Sequence, residues 1–339
     1  MSSKVFRSVI VGCGGISGQH SAVLSGMENV KVVGCCDIKP DRAEGSARKH
    51  GAKAYTDYIE MFEREKPDVV HITTPHPLHT PIACEAAKRG INVLTEKPPA
   101  AFREQWSDFE ALKGSGVQVG VCFQNRFNGS VGQMKQLLED GEMGRVLGAR
   151  ADVYWYRPEE YYTHSDWRGS WTTEGGGVLI NQSIHTLDLL VWLLGKPVLV
   201  GCSMANRHLR HVMEVEDTCE ALIRFGDASA LFYATTAHCT DAPVRVEIVC
   251  EKGTLSMTGD TLTVTRDGKS ELFDHTLAPL PGKAYWGTGH TACLRAYYDA
   301  LETGEAFMNG IDSVKDTMQL MYDMYEPYRG IPMGKVVRE

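Results

Sequence analysis

The sequence predicts an α/β N-terminal domain followed by an α+β C-terminal domain with a large, mostly antiparallel open sheet. Three observations predict this fold class. The first third of the chain alternates short apolar runs with helix candidates. A glycine-rich loop joins the first apolar run to the first helix candidate. After about residue 123 the alternation gives way to a series of strand-like segments separated by hairpin turns.

The size and composition fit two globular domains. The chain has 339 residues, of which 43% are hydrophobic and 23% are charged, and domains usually contain about 100–200 residues. We place the boundary where the pattern changes. We therefore expect an α/β domain of the dinucleotide-binding type at 1–123. We expect an α+β domain at 124–339, and this second domain would bind substrate and form oligomers.

The charge balance excludes two classes of partner. Asp and Glu number 43 against 35 Lys and Arg, which gives a net charge of −8. Nucleic-acid binding depends on clustered basic side chains, so neither nucleic acid nor an anionic membrane surface is an expected partner. No apolar run approaches the ~20 residues that span a bilayer, and the N-terminus lacks a signal-peptide pattern. The expected location is the cytoplasm.

The ten cysteines are scattered and form no Cys-x-x-Cys motif. In a chain of this length, reduced and mostly buried thiols are favoured over a structural zinc site.

Five short apolar runs predict the strands of the first domain. Runs of this kind, rich in β-branched residues, are typical of strands that are covered on both faces. The alternating helices imply right-handed crossovers and a parallel sheet. The predicted strands are 8–11, 30–36, 68–73, 92–95 and 117–122, and the helix candidates are 17–27, 41–50, 57–65, 80–89 and 103–113.

The second domain begins with a helix candidate and a long strand. A strongly apolar helix candidate follows at 184–194 and ends at Gly195, a C-terminal glycine signal. From 197 to 274 the pattern predicts five or six strands. The remaining predicted elements are a helix at 130–140, a strand at 146–156, and helices at 290–303 and 311–325.

The glycine-rich loop after the first strand predicts a Rossmann-type dinucleotide site. Glycine allows the tight turn and the close approach of the backbone to a pyrophosphate, and the N-terminus of the next helix attracts the phosphates. Asp37 ends the second strand, where its carboxylate would accept hydrogen bonds from an adenosine ribose. This carboxylate would repel a 2′-phosphate, so NAD is favoured over NADP, although Lys39 and Arg42 follow closely. The predicted cofactor residues here are Gly12, Gly14, Gly15, Ile16, Asp37 and Ile38.

Further cofactor residues follow the later strands, because ligands of open α/β sheets bind at the carboxyl ends of the strands. Two prolines stiffen the segment after the third strand. Its histidines could suggest a metal, but loop packing and cofactor contact are favoured, and no metal site is predicted. These cofactor residues are Thr73, Thr74, Pro75, His76, His79, Glu96, Lys97 and Gln124.

Two side chains are predicted to be catalytic. Lys97 follows the fourth predicted strand, where its ammonium could stabilise a developing alkoxide. His185 lies near the start of the apolar helix after a run of three glycines, and histidine is suited to proton transfer at neutral pH. Asn181 is four residues earlier, on the same helical face, and Asp188 could orient the imidazole.

The segment 154–171 is rich in aromatic residues and arginine, a composition that suggests a carbohydrate site. Ring faces with polar tips suit a pyranose, although many such rings pack in cores or subunit interfaces. Tyr285 and Trp286 precede His290 and belong to the same group of candidates. The predicted substrate residues are Lys97, Arg126, Tyr156, Trp167, Arg168, Asn181, His185 and His290.

Taken together, these motifs resemble the Gfo/Idh/MocA oxidoreductase family over nearly the whole chain. The residues that carry the resemblance are Gly12-x-Gly14-x-Ile16 with His20, Asp37, Thr74-Pro75 with His79, Glu96-Lys97-Pro98, and Gly175-Gly176-Gly177 with His185 and Asp188. The resemblance implies a Rossmann domain and a sheet domain whose open face mediates a dimer or tetramer. It also implies that Lys97 and His185 are the catalytic pair. Many members have Asp where Asn181 stands, which leaves the proton path open.

The expected function is NAD-dependent oxidation of a secondary alcohol of a sugar, glycoside or polyol, or the reverse reaction. His185 would take the hydroxyl proton, Lys97 would stabilise the alkoxide, and Asn181 would orient the substrate. Three alternatives remain open: an inositol dehydrogenase, an NAD-dependent glycosidase that oxidises its substrate transiently, and a regulator without catalysis. The presence of both Lys97 and His185 counts against the regulator.

Overall fold

The computed structural model describes residues 4–277 and 289–338, which form two compact units. Among these residues, the first unit comprises 4–124 and 290–314, and the second comprises 125–277, 289 and 315–338. The sequence assigned everything from 124 onward to the second domain. The structure differs for Gln124 and for 290–314, because the later segment packs with the first unit. For example, Val121 N donates to Asn309 O at 2.9 Å.

A six-stranded parallel sheet forms the centre of the first unit, in the order β3-β2-β1-β4-β5-β6. Its central strands are almost wholly buried, in keeping with their apolar, β-branched composition. The strands are β1 (Phe6–Val11), β2 (Val30–Cys36), β3 (Lys53–Tyr55), β4 (Val69–Ile72), β5 (Asn92–Thr95) and β6 (Val119–Val121).

Five helices connect these strands: α1 (Ser17–Ser25), α2 (Pro40–His50), α3 (Tyr58–Glu65), α4 (His79–Ala87) and α5 (Arg103–Ala111). Several end signals act as the sequence predicts. The Asp57 side chain caps α3 by accepting from the backbone N–H of Ile59 and Glu60. The short edge strand β3 was not predicted, because three residues, two of them exposed, carry too little apolar pattern.

The second unit contains an eight-stranded sheet in the order β14-β13-β12-β11-β7-β10-β9-β8. It is mostly antiparallel, and β7 and β10 form its parallel pair. Seven strands lie between 197 and 274, rather than the predicted five or six. The strands are β7 (Val146–Tyr154), β8 (Val198–Ala205), β9 (Thr218–Phe225), β10 (Ala228–Thr235), β11 (Arg245–Cys250), β12 (Gly253–Thr258), β13 (Thr261–Arg266) and β14 (Lys269–Asp274).

The remaining helices are α6 (Gly129–Glu139), α7 (Glu160–Thr163), α8 (Ile184–Leu194), α9 (Gly289–Thr303) and α10 (Ile311–Tyr325). Helix α8 is buried on nearly all sides, as its apolar composition predicts, and it ends at Gly195 with a φ of 89°. A π-helical turn over Leu179–Ser183 leads into α8. Within 4–277 and 289–338, no helix is both long enough and apolar enough to cross a bilayer.

Candidate active site

Gly12 brings the loop after β1 against the loop after β4. Its φ is 92°, and a Cβ at this position would lie 2.7 Å from the carbonyl carbon of Thr73 and the amide nitrogen of Thr74. The Thr73 hydroxyl donates to Gly12 O at 2.5 Å. Glycine is therefore required here for both the backbone conformation and the close approach.

The next residues of the loop leave room for a phosphate. A Cβ at Gly14 or Gly15 would meet no atom within 4 Å. The Ser17 hydroxyl donates to Gly14 O at 2.6 Å and so holds the loop over the start of α1. The first N–H groups of a helix have no partner within the helix and attract anions. The loop, with Ile16 at the N-cap, fits a pyrophosphate.

Asp37 faces this loop from the end of β2. Its carboxylate accepts from Cys13 N and from Lys39 N, both at 2.8 Å. These two contacts fix the carboxylate beside the glycine turn, the position expected of a ribose ligand. The next side chain, Ile38, is 84% exposed, so it offers an apolar surface beside Asp37.

His79 links two loops at the carboxyl edge of the sheet. Its Nδ1 lies 2.6 Å from Pro98 O, and its Nε2 lies 2.8 Å from Thr74 O. Because both ring nitrogens face backbone carbonyls, His79 holds the Thr74-Pro75 loop against the Lys97-Pro98 segment, at the edge where the sequence predicts cofactor contact. His76 is buried beside it, with the ring centres 6.0 Å apart.

Several buried polar atoms at this edge have no hydrogen-bond partner among residues 4–277 and 289–338. They are Thr74 Oγ1, Gln124 Oε1 and both ring nitrogens of His290. Buried polar atoms normally have partners, and a bound ligand is one way to supply them. His290 is 1% exposed, and burial lowers its pKa to about 4, so its imidazole is neutral at pH 7. These atoms, together with the glycine loop and Asp37, fit a dinucleotide.

A chain of buried polar side chains ends at the Glu96-Lys97 segment. Ser8 Oγ lies 2.6 Å from the Tyr298 hydroxyl, which lies 2.8 Å from His71 Nε2. His71 Nδ1 lies 2.9 Å from His20 Nδ1, and His20 Nε2 lies 3.0 Å from Glu96 Oε1. All five side chains are buried.

The charges of this chain set the direction of its hydrogen bonds. Burial opposes the charge on His20, but hydrogen bonds with Cys122 and Glu96 outweigh it and raise the pKa of His20 to about 9. Burial and the charge of His20 together lower the pKa of His71 well below its usual value. His20 is therefore an imidazolium that donates to Glu96 and to neutral His71, which in turn donates to Tyr298.

Glu96 is the anion of this chain. Burial opposes its ionisation, yet the hydrogen bond and charge of His20 hold the pKa of Glu96 well below its usual range. The Lys97 amide donates to Glu96 Oε2 at 3.3 Å. The ligand atoms of His20, Glu96 and Cys122 lie within 4.8 Å of one another, and His20 forms hydrogen bonds with both Cys122 and Glu96. The Glu96 carboxylate, held in place by His20, therefore fixes the backbone of Lys97.

The sequence did not reveal this chain, although it contained a signal. Ser8 and His71 are polar residues inside otherwise apolar strands, and a buried polar residue needs a partner. Its partner Tyr298 is distant in sequence and lies on α9.

In the second unit, the π-helical turn positions Asn181 and leads into the first turn of α8, which carries His185. Such turns are frequent at functional sites. The Asn181 side-chain Nδ2 donates to Glu174 Oε1 at 2.5 Å and to the Tyr161 hydroxyl at 3.4 Å. The sequence did not single out Glu174 or Tyr161.

Asp188 lies on α8, one turn after His185, and pairs with Arg126. Its two carboxylate oxygens accept from the Arg126 guanidinium at 2.6 and 2.7 Å. The Thr317 hydroxyl adds a third bond at 2.8 Å. Arg126 is 2% exposed. The sequence predicts that Arg126 binds substrate; in the structure its guanidinium forms a bidentate pair with Asp188, which anchors α8.

Within the aromatic segment, Tyr161 and Trp167 lie in one cluster with Arg168, and Tyr156 lies outside it. The Arg168 guanidinium lies 4.2 Å from the centre of the Tyr161 ring and 4.8 Å from that of Trp167, so these residues share one cluster with Asn181. Tyr156 is about half exposed, and its backbone N–H donates to Asp241 rather than to this cluster. Tyr285 and Trp286 lie outside the described residues.

Two family models match the chain. The model for an oxidoreductase family with an NAD-binding Rossmann fold matches residues 6–123. The model for the Gfo/Idh/MocA C-terminal domain matches residues 131–256.

Individual enzymes show similarity at lower coverage. D-glucoside 3-dehydrogenase of Escherichia coli (strain K12) is 27% identical over 225 residues, which are 65% of this chain and 62% of that enzyme. The match therefore spans less than two thirds of that relative's length. Inositol 2-dehydrogenase of Rubrobacter xylanophilus is 27% identical over 271 residues, 76% of this chain and 73% of that enzyme.

Solved structures share the fold over almost the full chain. The WlbA dehydrogenase of Bordetella pertussis, in complex with NADH and UDP-GlcNAcA, has a TM-score of 0.83 at 27% identity and covers 98% of this chain and 99% of that one. Levoglucosan dehydrogenase, in complex with NADH and levoglucosan, has a TM-score of 0.84 at 20% identity over 95% and 97% of the two chains, a likeness of fold. Because the two models match residues 6–123 and 131–256, the chain belongs to the Gfo/Idh/MocA family of oxidoreductases, with an NAD-binding Rossmann domain at its N-terminus.

Proposed function

We propose that this protein oxidises a secondary alcohol of a sugar, glycoside or polyol with NAD, or catalyses the reverse reduction. The observation that carries the proposal is the edge of the six-stranded sheet. There the glycine loop, Asp37 and the buried, unpartnered atoms of Gln124 and His290 fit a dinucleotide, and Lys97 follows β5 at the same edge.

The first unit would supply cofactor binding and charge stabilisation. NAD, when bound, accepts the hydride from the substrate carbon. The Lys97 ammonium donates a hydrogen bond to the substrate oxygen and stabilises the negative charge that develops there. The buried Glu96–His20 ion pair holds the backbone of Lys97 in position. Neutral His290 offers a donor and an acceptor to the bound ligands.

The second unit would supply the base and the substrate contacts. His185, in the first turn of α8, takes the proton of the substrate hydroxyl as the carbon loses its hydride. Asn181 binds a neighbouring hydroxyl group. Arg168 and Trp167, which stack beside Tyr161, give the sugar ring a surface with both apolar faces and polar donors.

The proposal extends to assembly and location. Leu222 and Leu231 are direct cross-strand partners on one face of the eight-stranded sheet, and both are exposed. Large exposed apolar patches mark interaction sites, so a second copy of the chain would cover this face to form a dimer or tetramer. The ten cysteines are free thiols, a state favoured in the cytoplasm.

The test is an absorbance assay at 340 nm with purified protein, NAD or NADP, and a panel of myo-inositol, D-glucose and p-nitrophenyl β-D-glucoside. We expect reduction of NAD by at least one member of the panel. Lys97→Ala and His185→Ala should each lower turnover by at least ~10²-fold, as the loss of acid–base or alkoxide stabilisation does.

Matched controls are Lys113→Ala, a lysine on the surface of the first unit, and His211→Ala, an exposed histidine of the second. Both should keep wild-type turnover. Release of p-nitrophenol without net NAD reduction would favour the glycosidase over the dehydrogenase. Near-wild-type turnover of the Lys97 or His185 variant would remove that residue from the mechanism.

A further inference from the structure

His290 is a buried histidine whose ring has no hydrogen-bond partner among residues 4–277 and 289–338. The residue is 1% exposed, and both ring nitrogens are buried. Within the same described residues, the Oε1 atom of Gln124, which is 3% exposed, also has no partner. Because buried polar atoms normally have partners, these two side chains indicate a ligand that supplies both a donor and an acceptor.

Both side chains belong to the first unit and lie near the carboxyl ends of β5 and β6. Gln124 follows β6 by three residues. His290 is the second residue of α9, and Cys293, one turn later, forms a hydrogen bond with Cys122 directly after β6. The charge of Glu96, which follows β5, acts on the His290 ring. The first turn of α9 therefore brings His290 to the strand ends that Gln124 also follows.

The strand order indicates which half of a dinucleotide would lie there. Strand β2, which ends next to Asp37, lies on one side of β1, and β4, β5 and β6 lie on the other. A dinucleotide binds across the strand ends of such a sheet, with its pyrophosphate at the loop after β1. Since Asp37 is placed to bind the adenosine ribose, the nicotinamide nucleotide would lie over the ends of β4 to β6, where His290 and Gln124 are.

We propose that His290 and Gln124 together bind the carboxamide group of the nicotinamide: a ring N–H of His290 donates to the carboxamide oxygen, and Gln124 Oε1 accepts from the carboxamide nitrogen. The proposal rests on the proposed function for the presence of NAD. It assigns His290 to the cofactor, whereas the sequence predicts that His290 binds substrate.

The protonation of His290 suits this role. Burial lowers its pKa to about 4, so at pH 7 the imidazole is neutral and has one N–H donor and one acceptor nitrogen. A primary carboxamide has an oxygen that accepts and an NH₂ group that donates, which complements the His290 N–H and Gln124 Oε1. Two such contacts fix the orientation of the nicotinamide ring, as efficient hydride transfer requires.

The test measures binding by isothermal titration calorimetry and needs no substrate. The ligands are NADH, the reduced 3-acetylpyridine analogue, in which a methyl group replaces the carboxamide NH₂, and ADP-ribose, which has no nicotinamide. We expect the wild type to prefer NADH to the analogue by about 5–100-fold, the usual effect of an unpaired buried acceptor. Gln124→Met should weaken NADH by a similar factor and bind NADH and the analogue equally, because only NADH has the NH₂ group.

His290→Phe should give a different pattern. It should weaken NADH and the analogue by the same factor, about 5–100-fold, because both have the carbonyl oxygen, and the preference for NADH should persist. His290→Asn and His290→Gln each place an amide N–H near one of the two ring nitrogens, so one of them should bind NADH within about fivefold of the wild type. His50→Phe is the matched control: this half-buried histidine bonds to Ser21, and its loss should leave NADH binding unchanged.

ADP-ribose separates the carboxamide from the rest of the cofactor. Its affinity should stay within about twofold of the wild type in every variant, which also shows that the first unit is folded. Unchanged NADH affinity in His290→Phe or Gln124→Met, or a preference for NADH that persists in Gln124→Met, would overturn the proposal. An equal loss of ADP-ribose and NADH affinity would also overturn it, since the two side chains would then act on the ribose or on folding.

The same measurements distinguish this proposal from the proposed function. If the ligands follow the expected pattern while no member of the substrate panel is oxidised, the proposed reaction fails and the carboxamide assignment stands. If ADP-ribose binds and the variants do not change NADH affinity, the dinucleotide site stands and the carboxamide assignment fails. A wild type that binds neither NADH nor ADP-ribose would refute both.

Discussion

At the scale of single residues, the buried ionisable side chains of the two units have different kinds of partner. In the first unit, Glu96 and His20 are both ionised and satisfy each other inside a chain of donors. In the second, Arg126 and Asp188 form a bidentate pair, whereas the carboxylate of Glu216 accepts from the backbone N–H groups of Gly177 and Leu179 and from the Tyr325 hydroxyl. Burial raises the pKa of Glu216 to about 7, whereas burial of Glu96 is outweighed by the hydrogen bond and charge of His20, which hold the pKa of Glu96 well below its usual range.

The His20 ion pair predicts a pH dependence of stability. The folded-state pKa of His20 is raised to about 9, so its contribution is complete below the unfolded-state pKa of ~6.5 and disappears as pH rises through 9. Urea unfolding of the wild type and of His20→Asn, both measured between pH 6 and 10, should show a difference in unfolding free energy that narrows by up to about 3 kcal/mol across this range. Glu174 and Glu216, whose pKa values are both raised to about 7 by burial, titrate in both proteins and cancel in the difference. A difference that stays constant, or a histidine NMR signal of His20 that titrates near 6.5, would contradict the ion pair.

At the scale of elements, most helices and strands could be predicted, because their ends carry explicit signals. Strand β2, strand β5, helix α8 and helix α10 have the predicted bounds. The π-helical turn before α8 was not predicted, since nothing in its composition distinguishes it from an α-helical turn. The residues that complete the candidate site were missed for another reason. Tyr298 and Glu174 reach their partners through contacts that are distant in sequence or depend on a loop, and periodicity does not report such contacts.

The glycine turn between β1 and α1 predicts a sharp difference between two Gly→Ala substitutions. Gly12→Ala forces an alanine to a φ of 92° and against the Thr73 backbone, so it should lower stability by roughly 1–3 kcal/mol and weaken NADH binding. Gly45→Ala lies inside α2, where a Cβ meets no atom closer than 4.0 Å, and should raise stability by about 0.5–1 kcal/mol. Urea unfolding and NADH fluorescence titration measure the two effects. Equal NADH affinity in both variants would remove the turn from the cofactor site.

At the scale of the whole molecule, the sequence predicted the two sheets and failed on which residues belong to each unit. Its pattern identifies strands and helices but does not report which sheet a late helix packs on. Helix α9 shows this: Tyr298 stacks edge-on against Phe6 and hydrogen-bonds to Ser8, while Tyr297 packs on Phe307. Polar and aromatic residues on one helix gave no indication that their partners were in the first strand.

The exposed face of the eight-stranded sheet predicts how one introduced charge would change the assembly of the protein. Leu231→Arg places a charge at a position that is 63% exposed, opposite Leu222, and should shift the protein toward the monomer, because an unpaired charge would be buried on assembly. Sedimentation velocity over a range of concentrations measures the shift. Val5→Arg, at an exposed position of the first unit, is the control and should leave the mass unchanged. A wild type that sediments as a monomer would refute assembly through this face.

The packing of 290–314 with the first unit has a consequence for biosynthesis. Domains generally fold in order as the chain leaves the ribosome. Here the first unit lacks the hydroxyl of Tyr298, the ring of Phe307 beside Gly120 and the Asn309 carbonyl that pairs with Val121 until residues 298–309 have been translated. The N-terminal sheet emerges first, yet its packing is completed by 290–314, which is translated only after all strands of the eight-stranded sheet of the second unit.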